Sequence, residues 1–564
     1  MLKGIRHGLA LLFSWVLFVS PLYGKDISPS AAAIAAAHPL ATAAGEQILK
    51  QGGNAFDAAV AITAALAVVE PSGSGIGGGG FYLLHEADKQ RDIIIDAREK
   101  APKAAHRDMY LDQHGKPIKG ASINGPLAAG IPGIPAALEH LAKQYGKLPL
   151  KQSLAPAIRY AEQGFEISKS YQRKMNWRSK VIKRYPETAA IFLDDDEVPQ
   201  AGWHLEQTDL AKTLTAIAQQ GANGFYQGDV AKLLIDGVRA QGGIWTFADL
   251  ANYQIIEREP IRFSYHDINV VSVPPPSSGG IALATMLNIL EGFDLQNATP
   301  AQRIHLVTEA MRRAYRDRAE YLGDADFIQI PVEQLTHKRY AADLRASIRK
   351  DKATASHTLP GAGLQQTGED TTHFSVIDQH GNRVAATLSI NLPYGSGYAP
   401  PGTGVLLNNE MDDFSIKPGT PNSYSLVGAE ANAIEPEKRP LSSMSPTFLE
   451  TSDRIAILGT PGGSRIITMV LHGILAFHEK TPVVNWVSQP RYHHQFLPDA
   501  IQFEKTAFSP EIQQNLTKLG HKLKARSRPY GDMQAILWDK TNNRVSAASD
   551  PRGIGSVSIL DTRK

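Results

Sequence analysis

Apolar residues recur along this chain with two different periods, and the period changes near residue 370. Before that point most apolar stretches follow the three-to-four-residue spacing of a helix that buries one face. His38-Pro39 opens such a stretch, which runs to Lys50 and stops at Gly52-Gly53. Asn54 then offers its side-chain oxygen as a cap for a helix over residues 55–69, ended by Pro71. Residues 135–242 keep a mostly helical spacing, broken by polar loops near 194–200. A turn rich in proline, serine and glycine at 274–280 leads into a helix at Ile281, and Thr299-Pro300 caps a long one. On that helix Ile304, Val307, Met311, Ala314 and Leu322 form the apolar stripe. Arg312, Arg313, Arg316 and Arg318 are expected elsewhere, on a solvated or salt-bridged face.

Beyond residue 370 a period of two takes over, the mark of strands. One strand is predicted from Phe374, returning after a turn at 379–382 as a second over 383–390. Others are predicted at 404–409, 445–450, 454–459, 533–538 and 544–547, with 445–450 and 454–459 as a hairpin across Thr451-Ser452-Asp453. Helices are expected at 465–478 and 510–519. In the first half, Ile93-Ile94-Ile95-Asp96 reads as a buried strand ending at Arg98. Strands grouped with helices outside them predict a layered helix–sheet–sheet–helix body of the α+β class.

One motif is rejected on its context. Gly75, Gly77 and Gly80 fit G-x-G-x-x-G, but a dinucleotide site needs a strand before and a helix after. Here the order is reversed, so these glycines are expected to let backbones approach closely.

Composition narrows the picture. By length alone, 564 residues suggest about three or four domains. A net charge of +2 with mixed signs gives no reason to expect nucleic acid or an acidic membrane as partner. The absence of cysteine excludes disulfides, thiolate chemistry, cysteine-based zinc sites and a lipoprotein anchor. Lys3, Arg6 and His7 precede an apolar stretch at 9–19 that is short for a membrane span. Residues 1–24 therefore read as an export signal cut near Gly24-Lys25, although Leu22 fits the small-residue rule poorly; an uncleaved anchor is the alternative. The mature protein is expected in the periplasm or outside the cell. The apolar run 58–69 stops at Glu70-Pro71, too soon to span.

The candidate chemistry centres on Asp370-Thr371-Thr372-His373-Phe374, which follows a polar, small-residue run at 350–370. Two threonines before a hairpin are ordinary β-formers when seen alone. They also stand where a threonine would become a new N-terminus, its hydroxyl the nucleophile and its α-amine the base. Such an amine titrates near pH ~8, so part of it is neutral at physiological pH. Three further blocks follow in order: Asn408-Asn409-Glu410-Met411-Asp412-Asp413-Phe414, then Arg439-Pro440-Leu441-Ser442-Ser443-Met444-Ser445, then Thr460-Pro461-Gly462-Gly463-Ser464-Arg465. Together with the Thr371 block they resemble the signature of the γ-glutamyltranspeptidases, self-processing N-terminal-nucleophile hydrolases.

That resemblance covers about residues 30–560 and implies a four-layer αββα sandwich. It further implies cleavage between Asp370 and Thr371, giving a large subunit, 25–370, and a small one, 371–564. Thr371 is then the nucleophile, and Ser389 matches a position where the family commonly carries threonine. Gly462 and Gly463 match the pair whose backbone N–H groups form the oxyanion hole. Arg98, with Ser442 and Ser443, matches the grip on a substrate carboxylate; Asn391, Glu410 and Asp413 match the grip on its ammonium. Residues 417–436 match a lid whose Tyr424 reaches Asn391. The implied donors are glutathione and related γ-glutamyl compounds, the acceptors water, amino acids or peptides. No cofactor, metal, nucleic acid or membrane partner is implied.

Three rivals were weighed. A β-lactam (cephalosporin-type) acylase shares the scaffold, but the Arg98 and Asp413 set counts against it. A metal hydrolase rests on His493-His494 alone, and adjacent residues point apart. A non-enzymatic exported amino-acid-binding protein would use the same arginine and aspartate while keeping its chain whole.

Overall fold

A computed structural model describes residues 28–359 and 371–561, apart from 418, 421, 424, 425 and 427. The export signal, Asp370 and Tyr424 lie outside the described residues.

Two antiparallel sheets form the centre. One has seven strands, in the order Ser556–Asp561, Ala31–Ala36, Thr372–Ile377, Arg383–Ser389, Gly79–Glu86, Arg91–Asp96 and Ile256–Arg258. The other has six: Arg544–Ser549, Gln534–Asp539, Arg454–Gly459, Thr447–Glu450, Ile268–Ser272 and Ile261–Tyr265. Strands from both halves of the chain contribute to each sheet. The strand Ala31–Ala36 pairs with Ser556–Asp561, the last strand described, so the chain closes on itself as one layered body rather than the three or four domains its length suggests.

The period-two pattern explains the layering. In the seven-stranded sheet Ile34, Tyr82, Leu84, Phe374, Val376 and Ala386 face one core, shared with the helices Pro39–Lys50 and Ala55–Val69. The alternate residues Ala33, Ala35, Phe81, Leu83, Ile377 and Ala385 face a second core, shared with the six-stranded sheet and the helices Gly279–Leu290, Pro300–Tyr321 and Ile466–His478. A sheet buried on both faces between helices and another sheet is the αββα sandwich.

Local chemistry fixes several boundaries. Asn54 Oδ1 accepts from the backbone of Phe56 and Asp57, and Asp57 returns a bond to the Asn54 N–H, a reciprocal cap of about 1 kcal/mol. Asp378 closes the hairpin turn with one carboxylate oxygen on His380 and Asn382, and its other oxygen accepts from Ala55 N–H. That bond ties the strand beginning at Thr372 to the start of the helix Ala55–Val69. The glycine run permits the predicted close approach: a Cβ on Gly77 would come within 2.3 Å of the Leu406 carbonyl oxygen, and one on Gly78 within 2.1 Å of Ser389's.

Two expectations are corrected and a third is narrowed. Residues 404–409 are not a strand; Leu407 makes a single bridge to Gly77, because the segment turns away to carry Asn408 and Asn409. A further strand, Ser556–Asp561, follows the two thought to close the chain. The arginines of the long helix take the salt-bridged form of the expectation rather than the solvated one: Arg312 and Arg313 are buried against Glu309, half-buried Arg316 pairs with Asp317, and Arg318 is buried. No described helix is long and apolar enough to cross a membrane; Ala55–Val69 is wholly buried in the first core.

Candidate active site

The site forms where several strands of the seven-stranded sheet end together. Thr371 sits directly before the strand Thr372–Ile377, and Leu388 pairs with Thr372 on the neighbouring strand. One step further along this antiparallel register brings Ser389 opposite Thr371. Ser389 in turn pairs with Gly79, and the Gly80–Ala97 backbone bonds extend the ladder to the Arg98 loop. Residues far apart in sequence thus arrive at one edge because their strands are neighbours.

Around Thr371 the polar groups are tightly held. Thr372 donates its hydroxyl to Glu70 Oε2 at 2.7 Å. The buried ring of His373 bonds Thr387 and Ser375, and burial pushes its pKa down to about 3, so it is neutral and structural. The Ser389 hydroxyl accepts from Asn391 N–H at 2.7 Å. Asn391 adopts φ of 73° and donates its amide to the Asn409 carbonyl, while Asn409 Oδ1 accepts from Leu392 N–H.

Next to Ser389 lies a buried charge cluster. Arg98, only 1% exposed, places Nη2 2.5 Å from Asp413 Oδ2 and Nη1 2.9 Å from Glu410 Oε1. Glu99 is 3.4 Å away, and Arg98 Nε donates to the Pro440 carbonyl. Burial works against the guanidinium's charge, but Glu410, Asp413 and Glu99 outweigh it and hold Arg98 firmly protonated. The acids bear the cost: burial and mutual repulsion raise Glu410 well above the carboxylate range, burial raises Asp413, and Glu99 is pushed up to about 8. The acids outnumber the cations here, and a bound ammonium would favour their ionised forms.

The expected carboxylate and ammonium grips are therefore adjacent and lean on each other. Ser442 and Ser443 border the same cavity, but the guanidinium that reaches Ser443 Oγ, at 3.3 Å, is that of Arg318. Arg318 also bonds Ser278 Oγ at 3.0 Å, and burial lowers its pKa to about 10. It was missed because it reads as one of a cluster of surface arginines. The signal was present: Arg318 lies four residues after Ala314 and four before Leu322, on the apolar stripe itself. Glu99, also missed, is simply the next residue to Arg98.

Gly462 and Gly463 form the turn that opens the helix Ile466–His478, with φ of 137° and 55°. Those angles are open to glycine and costly for other residues. The turn is fixed from outside: Tyr315 donates its hydroxyl to the Ser464 carbonyl, and Ser464 Oγ bonds Gln495 Oε1 at 2.7 Å. N–H groups at such a helix start suit a developing oxyanion.

Two cavities flank Thr371. A small one of about 20 Å³ is bordered by Arg98, Ser389, Asn391, Asp413, Ser443 and Gly463. A larger one of about 340 Å³ is bordered by Gly462, Pro461 and Tyr171 among others. Among the described residues, Thr371 alone borders both.

His493 and His494 do not converge on one point: the first bonds Thr468 and Gln495, the second Asp499 and the Phe496 N–H. The described residues that do gather three possible ligands are His305, Glu309 and His521. There Glu309 is already paired with Arg312 and Arg313, and the two imidazoles bond each other at 2.8 Å, which accounts for the cluster without an ion.

Comparison with known proteins agrees with this geometry. The family described as Gamma-glutamyltranspeptidase matches residues 41–560. A "Glutathione hydrolase proenzyme" of Pseudomonas sp. (strain A14) is 42% identical over 92% of each chain. The crystal structure of a cephalosporin acylase from Bacillus halodurans superposes with a TM-score of 0.81 at 27% identity, covering 97% of this chain and 99% of that one. That of Helicobacter pylori γ-glutamyltranspeptidase gives 0.56 at 40% identity, covering 60% and 97%. A match over nearly the whole chain, at this identity and on this fold, shows that the protein belongs to the γ-glutamyltranspeptidase family.

Proposed function

We propose that this chain is an exported proenzyme that cuts itself between Asp370 and Thr371. It then cleaves the γ-glutamyl amide of glutathione and related compounds, passing the acyl group to water or to an amino acid or peptide. The observation that carries this reading is the buried set of Arg98, Glu410 and Asp413 at the strand end where Thr371 begins. A fork of donors beside acids that an ammonium would ionise suits a free amino-acid head, one carboxylate and one ammonium. A cephalosporin acylase has no need of such a pair, which favours the γ-glutamyl reading over the acylase scaffold it shares.

In the precursor, the Thr371 hydroxyl attacks the carbonyl of the residue before it; the amide C–N bond breaks as the ester forms, which frees the Thr371 amine, and hydrolysis of that ester frees the hydroxyl and separates the two chains. In the mature enzyme this amine accepts the hydroxyl proton as Oγ attacks the substrate's γ-carbonyl. The N–H groups of Gly462 and Gly463 receive the oxyanion; the C–N bond breaks and the leaving amine takes the proton. Water or an amine then attacks the γ-glutamyl ester, and Thr371 regains its hydrogen. Ser389, one strand step away, orients the nucleophile, while Asn391, Ser442 and Ser443 shape the head-group pocket. Tyr424 would close it as part of a lid.

The test is the intact mass of the purified protein beside Thr371→Ala, with turnover of glutathione and of a cephalosporin side-chain amide. Two chains, the smaller starting at Thr371, and preference for glutathione support the reading. One uncut chain that binds amino acids without turnover would replace it with the binding-protein alternative.

A further inference from the structure

We infer that the cavity beside Arg383, at the opposite end of the two-sheet sandwich from Thr371, is a second binding site, for a small organic monocarboxylate with an apolar body. It is separate from the γ-glutamyl pocket and does not rest on the reaction proposed there.

Strand register places this cavity. The strand Arg383–Ser389 ends beside Thr371, so its first residue lies about 20 Å away at roughly 3.3 Å per residue. Arg383 pairs with His85, and His85 with Asp92, which sets the three side by side on neighbouring strands. Each lies two residues from a member of the second core, Ala385, Leu83 or Ile94, so all three project toward the six-stranded sheet. On that sheet Glu450 pairs with Asn269, while Val271 pairs with both Phe448 and Arg262. Between the two layers about 380 Å³ is open, within the range of small-molecule sites.

The charges around it are not balanced. Arg383 is 4% exposed, its guanidinium lies 5.3 Å from the centre of the Phe448 ring, and its Nε–H has no acceptor among the described residues. Its ion pair with Glu450 is loose, at 3.6 Å, and the other oxygen of Glu450 is 3.1 Å from Lys540. Asp92 is engaged elsewhere: Oδ1 meets His85 Nδ1 at 2.7 Å, and Oδ2 accepts from Arg262 at 2.6 Å. Burial lowers the pKa of Arg383, and Glu450 and Asp92 do not make up the difference. Among these groups three cations, Arg383, Arg262 and Lys540, stand against two carboxylates, Asp92 and Glu450.

That imbalance specifies the ligand. A buried cation short of acceptors is costly, and an anion that supplies them is bound in return. A planar guanidinium matches a carboxylate, and a surplus of one charge beside two acids suits a monoanion better than phosphate. Phe448 and Val271, both buried, and half-buried Phe263 line the same cavity, so the rest of the ligand meets apolar surface.

The test is calorimetric titration of the purified protein with phenylacetate, phenylacetamide, acetate and inorganic phosphate. Phenylacetate should bind with a Kd of about 0.1–1 mM. The neutral amide, acetate and phosphate should each bind about tenfold more weakly or worse. Arg383→Gln should raise the phenylacetate Kd about tenfold or more, and Arg383→Lys should recover part of the loss. Arg262→Gln, on the exposed rim, keeps the test open should Arg383→Gln not fold; it removes the surplus charge and should raise Kd about three- to fivefold. Equal affinity for phenylacetate and its amide, or affinity unchanged in both glutamine variants, would overturn the site. So would the lack of saturable binding up to about 10 mM, which would leave a cleft that holds water only.

Discussion

The two cavities that meet at Thr371 differ in almost every physical respect. The inner one is small, and its ionisable groups are largely buried: Glu99, Glu410 and Asp413 each lie within salt-bridge distance of Arg98. The outer one is wide, its cations stand at the rim, and its apolar surface is half in water. Buried charges in low dielectric act strongly and only in one geometry, whereas exposed ones act weakly and tolerate variation. The contrast matches the chemistry proposed: one fixed acyl donor head, many amine partners.

The sharpest break would come at the joint itself. Thr371→Ala should leave one uncut chain and lower turnover by about 10⁴-fold or more, checked by intact mass and by glutathione hydrolysis. On the inner side, Arg98→Ala would strand Glu410 and Asp413 without their cation. We expect kcat/KM for γ-glutamyl donors to fall about 10²–10³-fold and stability to drop about 3–5 kcal/mol, read by kinetics and denaturant melts. Arg98→Lys should keep the stability better than the activity, because it retains charge but loses the planar fork. At the oxyanion turn, Gly462→Ala must hold a Cβ at φ of 137°, with Met469 Cε only 2.6 Å away. Its kcat should fall about 10²-fold while the donor KM changes little, which separates it from the head-group variants.

The smallest effect concerns pH. Glu99 is held up to about 8 by burial, from an ordinary 4.5. Between those values the native protein keeps a proton that the unfolded chain has lost, so this contribution to stability falls as pH rises from 4.5 through 8. An ammonium ligand favours the ionised acids, so the donor KM should fall over pH 6 to 8, by less than about tenfold. Glu99→Gln should flatten both trends; a donor KM profile unchanged in that variant would remove Glu99 from the inner pocket's electrostatics.

Much of this was legible because its causes are local. The helices at 39–50 and 55–69 end where expected because His38, Asn54, Gly52 and Pro71 act on their immediate neighbours. The hairpin of Thr447–Glu450 and Arg454–Gly459 follows from a three-residue turn. The misses are non-local. Residues 404–409 carry a short apolar run, Val405 to Leu407, that reads as a strand, yet the segment is held instead by Asn408, whose side chain bonds Gly77 and Gly130. Strand Ala31–Ala36 has a single β-branched residue, Ile34, among alanines to mark it, and exists because two neighbouring strands bracket it.

The sequence by itself determined which residue types are present, in what order, and which caps and turns divide them. It also carried the family's blocks, including the pairing of a strand-initial threonine with an arginine, paired acids and a glycine turn. Only the tertiary structure decided that Arg98, Ser389, Asp413 and Gly463 end beside one threonine, and that Arg318 turns inward to join them. It alone decided that Thr371 divides a small pocket of buried ionisable groups from a larger one with exposed cations at its rim. Caps and periodicity act over a few residues, whereas sheet register and burial couple residues hundreds apart, and charge acquires its strength only where the fold removes water.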